Sequence, residues 1–242
     1  MNQIKVTIFT LTYNRGYRIE NLYQSLQRQT NKNFEWVVID DGSTDNTQEL
    51  FNQWVAENNN FDICYIKVAN GGKHRAINKG SQVAKGELFF IVDSDDVLTE
   101  DAINRIVYWE STLDNKEHYC GVTGNRGYNE HQIIGGTFQG DYLDGTFLEK
   151  NKYNIYGDKS EVFYTRLLQK YQFPEIEGEN FMTEDVVWLF LAYDGYQTRW
   201  FNEIIYITEY LPDGLSYNIN SVIDNNPKGW VLANNLFQIL YS

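Results

Sequence analysis

The 242-residue chain has only two cysteines, Cys64 and Cys120, far apart and without Cys-x-x-Cys spacing, so nothing in it asks for a disulfide framework or a thiolate metal site. Two free thiols in a reducing compartment are the expectation. Basic residues are short as well: 20 Lys and Arg face 33 Asp and Glu, a formal net charge of −13. No segment supplies the basic face that a phosphate backbone requires, which argues against nucleic acid as a partner. No apolar run reaches the length of a membrane span, and Met1-Asn2-Gln3-Ile4-Lys5 leads straight into a strand pattern without a signal-peptide signature. The location expected from this is cytoplasmic.

Several chemistries lack their residues. His74, His118 and His131 show no ligand spacing, and no Gly-x-Ser-x-Gly or Cys–His arrangement appears, so nucleophilic hydrolysis has little support. No Gly-x-Gly-x-x-Gly follows the first strand, which disfavours dinucleotide binding. Gly71-Gly72-Lys73 stands at a helix start, where backbone N–H groups and an ammonium could meet phosphate. It lacks the four-residue spacer and the Lys-Ser/Thr ending of a P-loop.

What is present is a folded pattern, 42% apolar and 16% aromatic. Residues 4–13, Phe34 to Ile39, Ile63 to Ala69 and Leu88 to Val92 read as strands. Between and after them, helical spacing predicts helices over Tyr17 to Gln29, from the Ser43-Thr44-Asp45 cap region through Val55, over Lys73 to Ala84, and from about Thr99. Gly86 is placed as an αL cap on the third helix. Strand and helix four times over implies a mostly parallel, doubly wound α/β sheet. In residues 117–158 the rhythm is lost; short strands and loops are expected there, with a hairpin around Gly135-Gly136. Helices are expected over Glu161 to Tyr171, over Thr183 to Tyr193 and from Gly229 to Tyr241, a strand from Arg199 to Tyr210, and a turn at Leu211 to Leu215. With no repeat or linker, one domain over residues 1–242 is favoured.

Two of these strands end in acid: Ile39-Asp40-Asp41-Gly42-Ser43 and Val92-Asp93-Ser94-Asp95-Asp96. Ligands of open α/β sheets bind outside the C-terminal strand ends, so both clusters point into one crevice. Two carboxylates about 4 Å apart repel by ~4 kcal/mol at an effective dielectric of ~20, so such a cluster needs a cation, a proton or strong hydrogen bonds. An Asp-x-Asp turn suits a hard divalent ion that also takes phosphate oxygens. Taken singly, each cluster reads as an ordinary turn or cap. Glu184-Asp185 opens an apolar helix, where acids complement the helix dipole and where a carboxylate could equally take a proton from a hydroxyl.

In this order the motifs resemble the family 2 inverting glycosyltransferases of GT-A fold, of the small bacterial, non-processive type. They are Thr12-Tyr13-Asn14-Arg15, Asp40 to Asp45, Asn70-Gly71-Gly72-Lys73 with Ala76, Asn78 and Gly80, Asp93-Ser94-Asp95-Asp96, Glu184-Asp185, and a segment from Tyr210 to Ser216. The resemblance implies a nucleotide-sugar-binding half over residues 1–110 and an acceptor-binding half with its C-terminal helix over 111–242. It implies that Thr12, Tyr13, Arg15, Asp41, Lys73, Asp93 and Ser94 border the nucleotide, with Asp41 on the base and Asp93 near the ribose. Asp95 becomes the principal ligand of Mn²⁺ or Mg²⁺, with Asp96 assisting. Asp185 becomes the general base, with Glu184 in the acceptor or donor-sugar region.

The implied activity moves a sugar from a nucleoside diphosphate sugar, UDP-linked by expectation, to a hydroxyl of a saccharide or lipid-linked saccharide in cell-surface glycan synthesis. Gln197-Thr198-Arg199-Trp200 is one residue short of the Gln-x-x-Arg-Trp of processive synthases, which implies single additions. Two other readings stand behind it: a catalytically silent sugar-nucleotide binding or scaffold protein, whose metal and base motifs would be damaged, and a nucleotidyltransferase, which would carry a basic glycine-rich loop where Tyr13-Asn14-Arg15-Gly16 stands. The final helix, with Trp230, Val231, Leu236, Phe237, Ile239 and Leu240, is expected to pack on the domain rather than lie on the inner face of a membrane, because flanking basic residues are scarce. Peripheral membrane contact through it stays open, and no oligomeric state is implied.

Overall fold

Strand and helix alternate through the first half of the chain as the pattern demands. The computed structural model describes residues 4–209 and 219–241. It runs β1 (Val6–Thr12), α1 (Ile19–Gln27), β2 (Phe34–Asp40), α2 (Thr47–Ala56), β3 (Asp62–Lys67), α3 (Lys73–Val83) and β4 (Leu88–Ile91). The apolar runs of β2 and β4 are buried along their whole length, as strands covered on both faces must be. In α1 the stripe Ile19, Leu22, Tyr23, Leu26 turns inward, and Tyr23 joins Phe51 and Trp54 of α2 around the fully buried Trp36. β1 pairs in parallel with β2 and with β4, and β2 with β3. Thr12 lies opposite Asp40 in that register, so the acidic ends of β2 and β4 emerge on either side of the end of β1.

The second half continues with β5 (Val97–Leu98), α4 (Ala102–Ser111), β6 (Tyr119–Asn129), β7 (Gln132–Ile133), β8 (Tyr142–Gly145), β9 (Lys159–Tyr164), α5 (Thr165–Lys170), α6 (Asp185–Tyr193), β10 (Gln197–Ile207), α7 (Ile219–Asn225) and α8 (Pro227–Tyr241). One ten-stranded sheet of order β3-β2-β1-β4-β9-β6-β10-β5 holds the strands, with β7 on β6 and β8 on β10. β9 runs antiparallel between β4 and β6, and β5, β7 and β8 also pair antiparallel, so the parallel strands of the first half continue into a mixed sheet. No helix among the described residues is long and apolar enough to cross a membrane. Cys64 and Cys120 are both free.

Four local expectations are corrected. Residues Glu161 to Tyr164 are strand, not helix: Val162, Phe163 and Tyr164 are β-branched or aromatic and fit the slot between β4 and β6, and the helix starts only at Thr165. Residues 119–129 form one long strand instead of short pieces. The hairpin turns at Glu130-His131, where Asn129 accepts the His131 N–H at 2.9 Å; Gly135-Gly136 lies across from Tyr156. Gly86 is not an αL cap. The chain leaves α3 extended at Ala84, and Gly86 is needed because a Cβ there would strike the backbone of Val6 and Thr7 in β1, whose Thr7 hydroxyl accepts the Gly86 N–H.

At the C-terminus α7 is an addition that periodicity did not suggest. α8 buries Ala233 and packs Leu232 and Leu236 on the core, while Trp230 and Val231 face outward. The Leu211 to Leu215 turn and the Tyr210 to Ser216 segment lie outside the described residues.

Candidate active site

The acidic turn after β2 and the glycine turn after β3 are one unit. Asp40 is fully buried and accepts the Ser43 N–H at 2.7 Å, with the Tyr65 hydroxyl on its other oxygen, so it shapes the turn. Asp41 accepts the Gly71 N–H at 2.7 Å and the Gly72 N–H at 2.9 Å, one on each carboxylate oxygen. Burial raises the Asp41 carboxyl and those two amides oppose the rise. The N–H groups expected to face a phosphate are therefore taken by Asp41, because the turn folds back onto the strand end beside it. Gly72 sits at φ 92°, ψ 165°, a region only glycine occupies readily, and a Cβ there would run into the Asn180 carbonyl. Gly72→Ala should lower the melting temperature by roughly 5–10 °C, from a backbone cost of ~1–3 kcal/mol plus the clash. Differential scanning fluorimetry would read this, and an unchanged melting temperature would mean that the 179–181 wall yields freely.

Asp93 is the centre of the cleft. Its Oδ1 takes Lys73 Nζ at 2.6 Å, and its Oδ2 takes Arg126 Nη1 at 3.0 Å and the Tyr206 hydroxyl at 3.2 Å. Arg126 also lies over the Tyr206 ring at 4.1 Å, and its Nε donates to the Lys159 carbonyl at 2.9 Å. Burial works against the charge of Asp93, but Lys73 and Arg126 outweigh it and hold the carboxyl well below its usual range. Lys73 is likewise opposed by burial and kept charged by Asp93 and Glu184, whose Oε1 is 2.9 Å away.

The next two aspartates face different ways. Asp96 is buried and turned to the protein: it accepts the Glu209 N–H at 3.1 Å and lies 3.4 Å from the Thr208 hydroxyl and 3.8 Å from Arg126, clamping the end of β10 to the turn. Burial and the nearby Asp93 charge push its carboxyl up to about 7, against hydrogen bonding from Tyr206 and the charge of Arg126. Asp95 faces the cleft, with Arg15 Nη2 at 3.9 Å. Burial and Asp93 raise its carboxyl, so added positive charge beside it would be stabilised.

Among the described residues no three His, Cys, Asp or Glu side chains gather as a ready metal cage. Asp95, which lines the cleft and whose carboxyl burial and Asp93 raise, nevertheless fits a hard divalent ion whose remaining oxygens come from a diphosphate. Asp95 would hold it.

These residues line a cleft of about 590 Å³, a volume suited to a small-molecule ligand. Tyr13, Arg15, Asp41, Lys73, Asp93, Ser94, Asp95, Asp96 and Glu184 all border it. Thr12 and Asp185 are not among the lining residues. Thr12 is buried at the end of β1, where its carbonyl accepts the Asp41 N–H at 2.9 Å. Asp185 is exposed at the start of α6, with the Thr183 hydroxyl at 3.4 Å. Desolvation on its protein side raises the Asp185 carboxyl, Lys150 opposes this and Glu184 adds to it.

Arg126, Asn180, Phe181, Thr208, Glu209 and Asn226 also line the cleft, and the motifs name none of them. Asn226, between α7 and α8, accepts the N–H groups of Asn180 (2.7 Å) and Phe181 (3.0 Å), while Glu179 accepts those of Lys228 (2.8 Å) and Gly229 (2.8 Å) at the start of α8. The C-terminal helices thus pin the segment that Gly72 abuts.

Residues 7–172 match the family model described as "Glycosyl transferase family 2". Among curated proteins, glycosyltransferase GlyG of Streptococcus pneumoniae is 34% identical over 101 residues, 42% of this chain and 33% of GlyG. Chondroitin synthase of Pasteurella multocida is 34% identical over 124 residues, 51% of this chain and 12% of that protein. The chain thus matches about a third of GlyG and far less of the synthase. Among solved structures, TarS of S. aureus in complex with UDP-GlcNAc aligns with a TM-score of 0.66 at 22% identity, over 88% of this chain and 60% of that one. A mannosyltransferase of Pyrobaculum calidifontis with GDP-Man and Mn²⁺ aligns with a TM-score of 0.64 at 18% identity, over 90% and 60%. At these identities the likeness is one of fold, a GT-A type α/β fold with a mostly parallel central sheet.

Proposed function

The chain belongs to glycosyl transferase family 2, and from that premise we propose that it is an inverting glycosyltransferase that moves a sugar from a nucleoside diphosphate sugar, UDP-linked, to a hydroxyl of a saccharide or lipid-linked saccharide. The observation that carries the reading is Asp95 facing the same cleft as the Lys73–Asp93–Arg126 centre, at the ends of adjoining parallel strands. Tyr13, Arg15 and the Asp41 turn would receive the nucleotide, and Asp93, already oriented by two cations, would meet the ribose. Mn²⁺ or Mg²⁺ on Asp95 would supply Lewis-acid neutralisation of the diphosphate.

Asp185 would take the proton of the acceptor hydroxyl as that oxygen forms its bond to the anomeric carbon. The bond from that carbon to the diphosphate oxygen breaks on the opposite face, and the nucleoside diphosphate leaves with its electron pair. Glu184 is engaged by Lys73, whose ammonium lies 2.9 Å from its Oε1. UDP-GlcNAc in TarS and GDP-Man with Mn²⁺ in the Pyrobaculum calidifontis mannosyltransferase support the ligand class.

The test is a thermal-shift screen of nucleoside diphosphates and their sugars with Mn²⁺. Stabilisation by at least one sugar nucleotide, with slow donor hydrolysis, is expected. A ligand at about 100 times its dissociation constant adds ~2.7 kcal/mol to stability. Indifference to every nucleotide in the screen would end this reading.

A further inference from the structure

Residues 171–184 join α5 to α6 with neither helix nor strand, so their N–H and C=O groups must find partners other than a regular ladder. Two side chains on one face of α3 supply several of them. Arg75 Nη1 donates to the Glu179 carbonyl at 2.7 Å and Nη2 to the Ile176 carbonyl at 2.8 Å, while Nε stands 3.5 Å from the Glu175 carboxylate. Asn78, three residues on and on the same face, accepts the Phe173 N–H at 2.8 Å and donates to the Phe173 carbonyl and the Glu175 carboxylate, both at 3.0 Å.

Arg75 has a further partner in the donor site. Its Nη1 also donates to the Gly71 carbonyl at 2.6 Å, in the turn whose N–H groups Asp41 holds from the other side. One guanidinium thus spans the donor turn and the segment that leads to α6. A planar fork with five donors can serve the Gly71, Ile176 and Glu179 carbonyls at once, which an ammonium on a flexible stem does not reproduce. Arg75 does not line the cleft, so it acts on a bound donor only through what it holds.

What it holds leads to the base. From Glu179 the chain passes along the cleft as Asn180 and Phe181, buries Met182 in the core, and reaches Glu184 on Lys73 and then Asp185. Without Arg75 the Ile176 and Glu179 carbonyls lose that donor and the segment can shift, whereas the turn keeps its bonds to Asp41. A displacement of about 1 Å at a reacting group costs on the order of 10²-fold in rate.

We infer that Arg75 is a positioning residue, joining the donor turn to the segment that carries Asp185 so that a donor in the cleft and the base that serves it are held in one frame. This rests on the glycosyltransferase reading and adds to it a residue that acts through Asp185.

The test is a kinetic cycle on the full chain with Mn²⁺. Turnover is read as UDP released from UDP-glucose, UDP-galactose or UDP-GlcNAc, whichever the wild type consumes, with water standing in for the acceptor, and UDP affinity is measured by calorimetry. Arg75→Met should lower kcat about 10–10²-fold while UDP binds as in the wild type, since Asp41 still holds the turn. Arg75→Lys, which keeps the charge but not the fork, should fall between the two and serves where the methionine variant does not fold. In an Asp185→Asn background the Arg75 substitution should cost nothing further, because the group it positions is gone. Wild-type kcat in Arg75→Met, or in Arg75→Lys where the first does not fold, would overturn the inference. So would a loss carried by UDP affinity instead of kcat, or a full additional loss in the Asp185→Asn background. A wild type that binds no UDP, or an Asp185→Asn variant as fast as the wild type, would instead remove the reading on which the inference stands.

Discussion

The Asp185→Asn variant is expected to bind the nucleoside diphosphate sugar as the wild type does and to transfer the sugar about 10²–10⁴-fold more slowly. The reasoning starts from placement. Asp185 does not line the cleft, so loss of its carboxylate is expected to leave donor affinity unchanged. It sits instead at the exposed start of α6, where an acceptor hydroxyl can reach it from solvent. Desolvation raises its carboxyl, with Lys150 opposing, which makes its carboxylate a better proton acceptor than that of an unperturbed aspartate. Glu184 is held by the Lys73 ammonium, 2.9 Å from its oxygen. Donor affinity by calorimetry and transfer rate by product release separate the two effects. Transfer at the wild-type rate in Asp185→Asn would remove the residue from the chemistry; a matched loss of donor affinity would make it a binding residue instead.

The contrast between Asp41, Asp93 and Arg126 shows what the sequence could disclose. Asp41 and Asp93 stand where continuous apolar runs stop, so strand, direction and sheet edge are all legible from local pattern. That Asp96 would turn inward is not: its partners are Thr208 and Glu209, more than a hundred residues away, and no local rule brings β10 to that turn. The N–H groups of Gly71 and Gly72 read as free for a phosphate because the carboxylate that takes them lies 30 residues upstream. Arg126 is hidden for a different reason. It sits in a strand interrupted by Gly121, Gly124 and Gly127, a composition that reads as loop, and the glycines are there because neighbouring backbone and the Trp109 ring approach closely. The one sign available was an arginine amid small and β-branched residues in a strongly acidic chain, which marks a buried partner without naming it. Glu161 to Tyr171 reads as one helix because β9 is short and flows directly into α5.

Arg126→Met is the variant in which this hidden residue should be most visible. In the folded chain Arg126 pairs with Asp93 at 3.0 Å, lies 3.8 Å from Asp96, covers the Tyr206 ring and is almost wholly buried. Removing one partner of such a buried group leaves the carboxylates uncompensated, a loss of about 3–5 kcal/mol, or roughly 6–20 °C in melting temperature for a chain of this size. Asp93 keeps Lys73, but Asp96 loses the cation that tempers the effects of burial and of Asp93. The sign of the pH dependence follows. Asp96 already titrates in the folded chain at about 7, above the ordinary ~3.9 of an unfolded aspartate, so its ionisation opposes folding as pH rises between those values. Without Arg126 the folded value moves higher still, and the opposition grows with it. The stability deficit of Arg126→Met should therefore be larger at pH 8 than at pH 5, where Asp96 is protonated in the folded variant and carries no charge to compensate. Melting curves of wild type and variant at the two pH values measure it. A deficit equal at both, or smaller at pH 8, would mean that Arg126 acts through its packing on Tyr206 rather than through charge. Asp93 enters this comparison little, because Lys73 still holds its carboxyl low and its contribution is lost only as pH falls below the ordinary aspartate range.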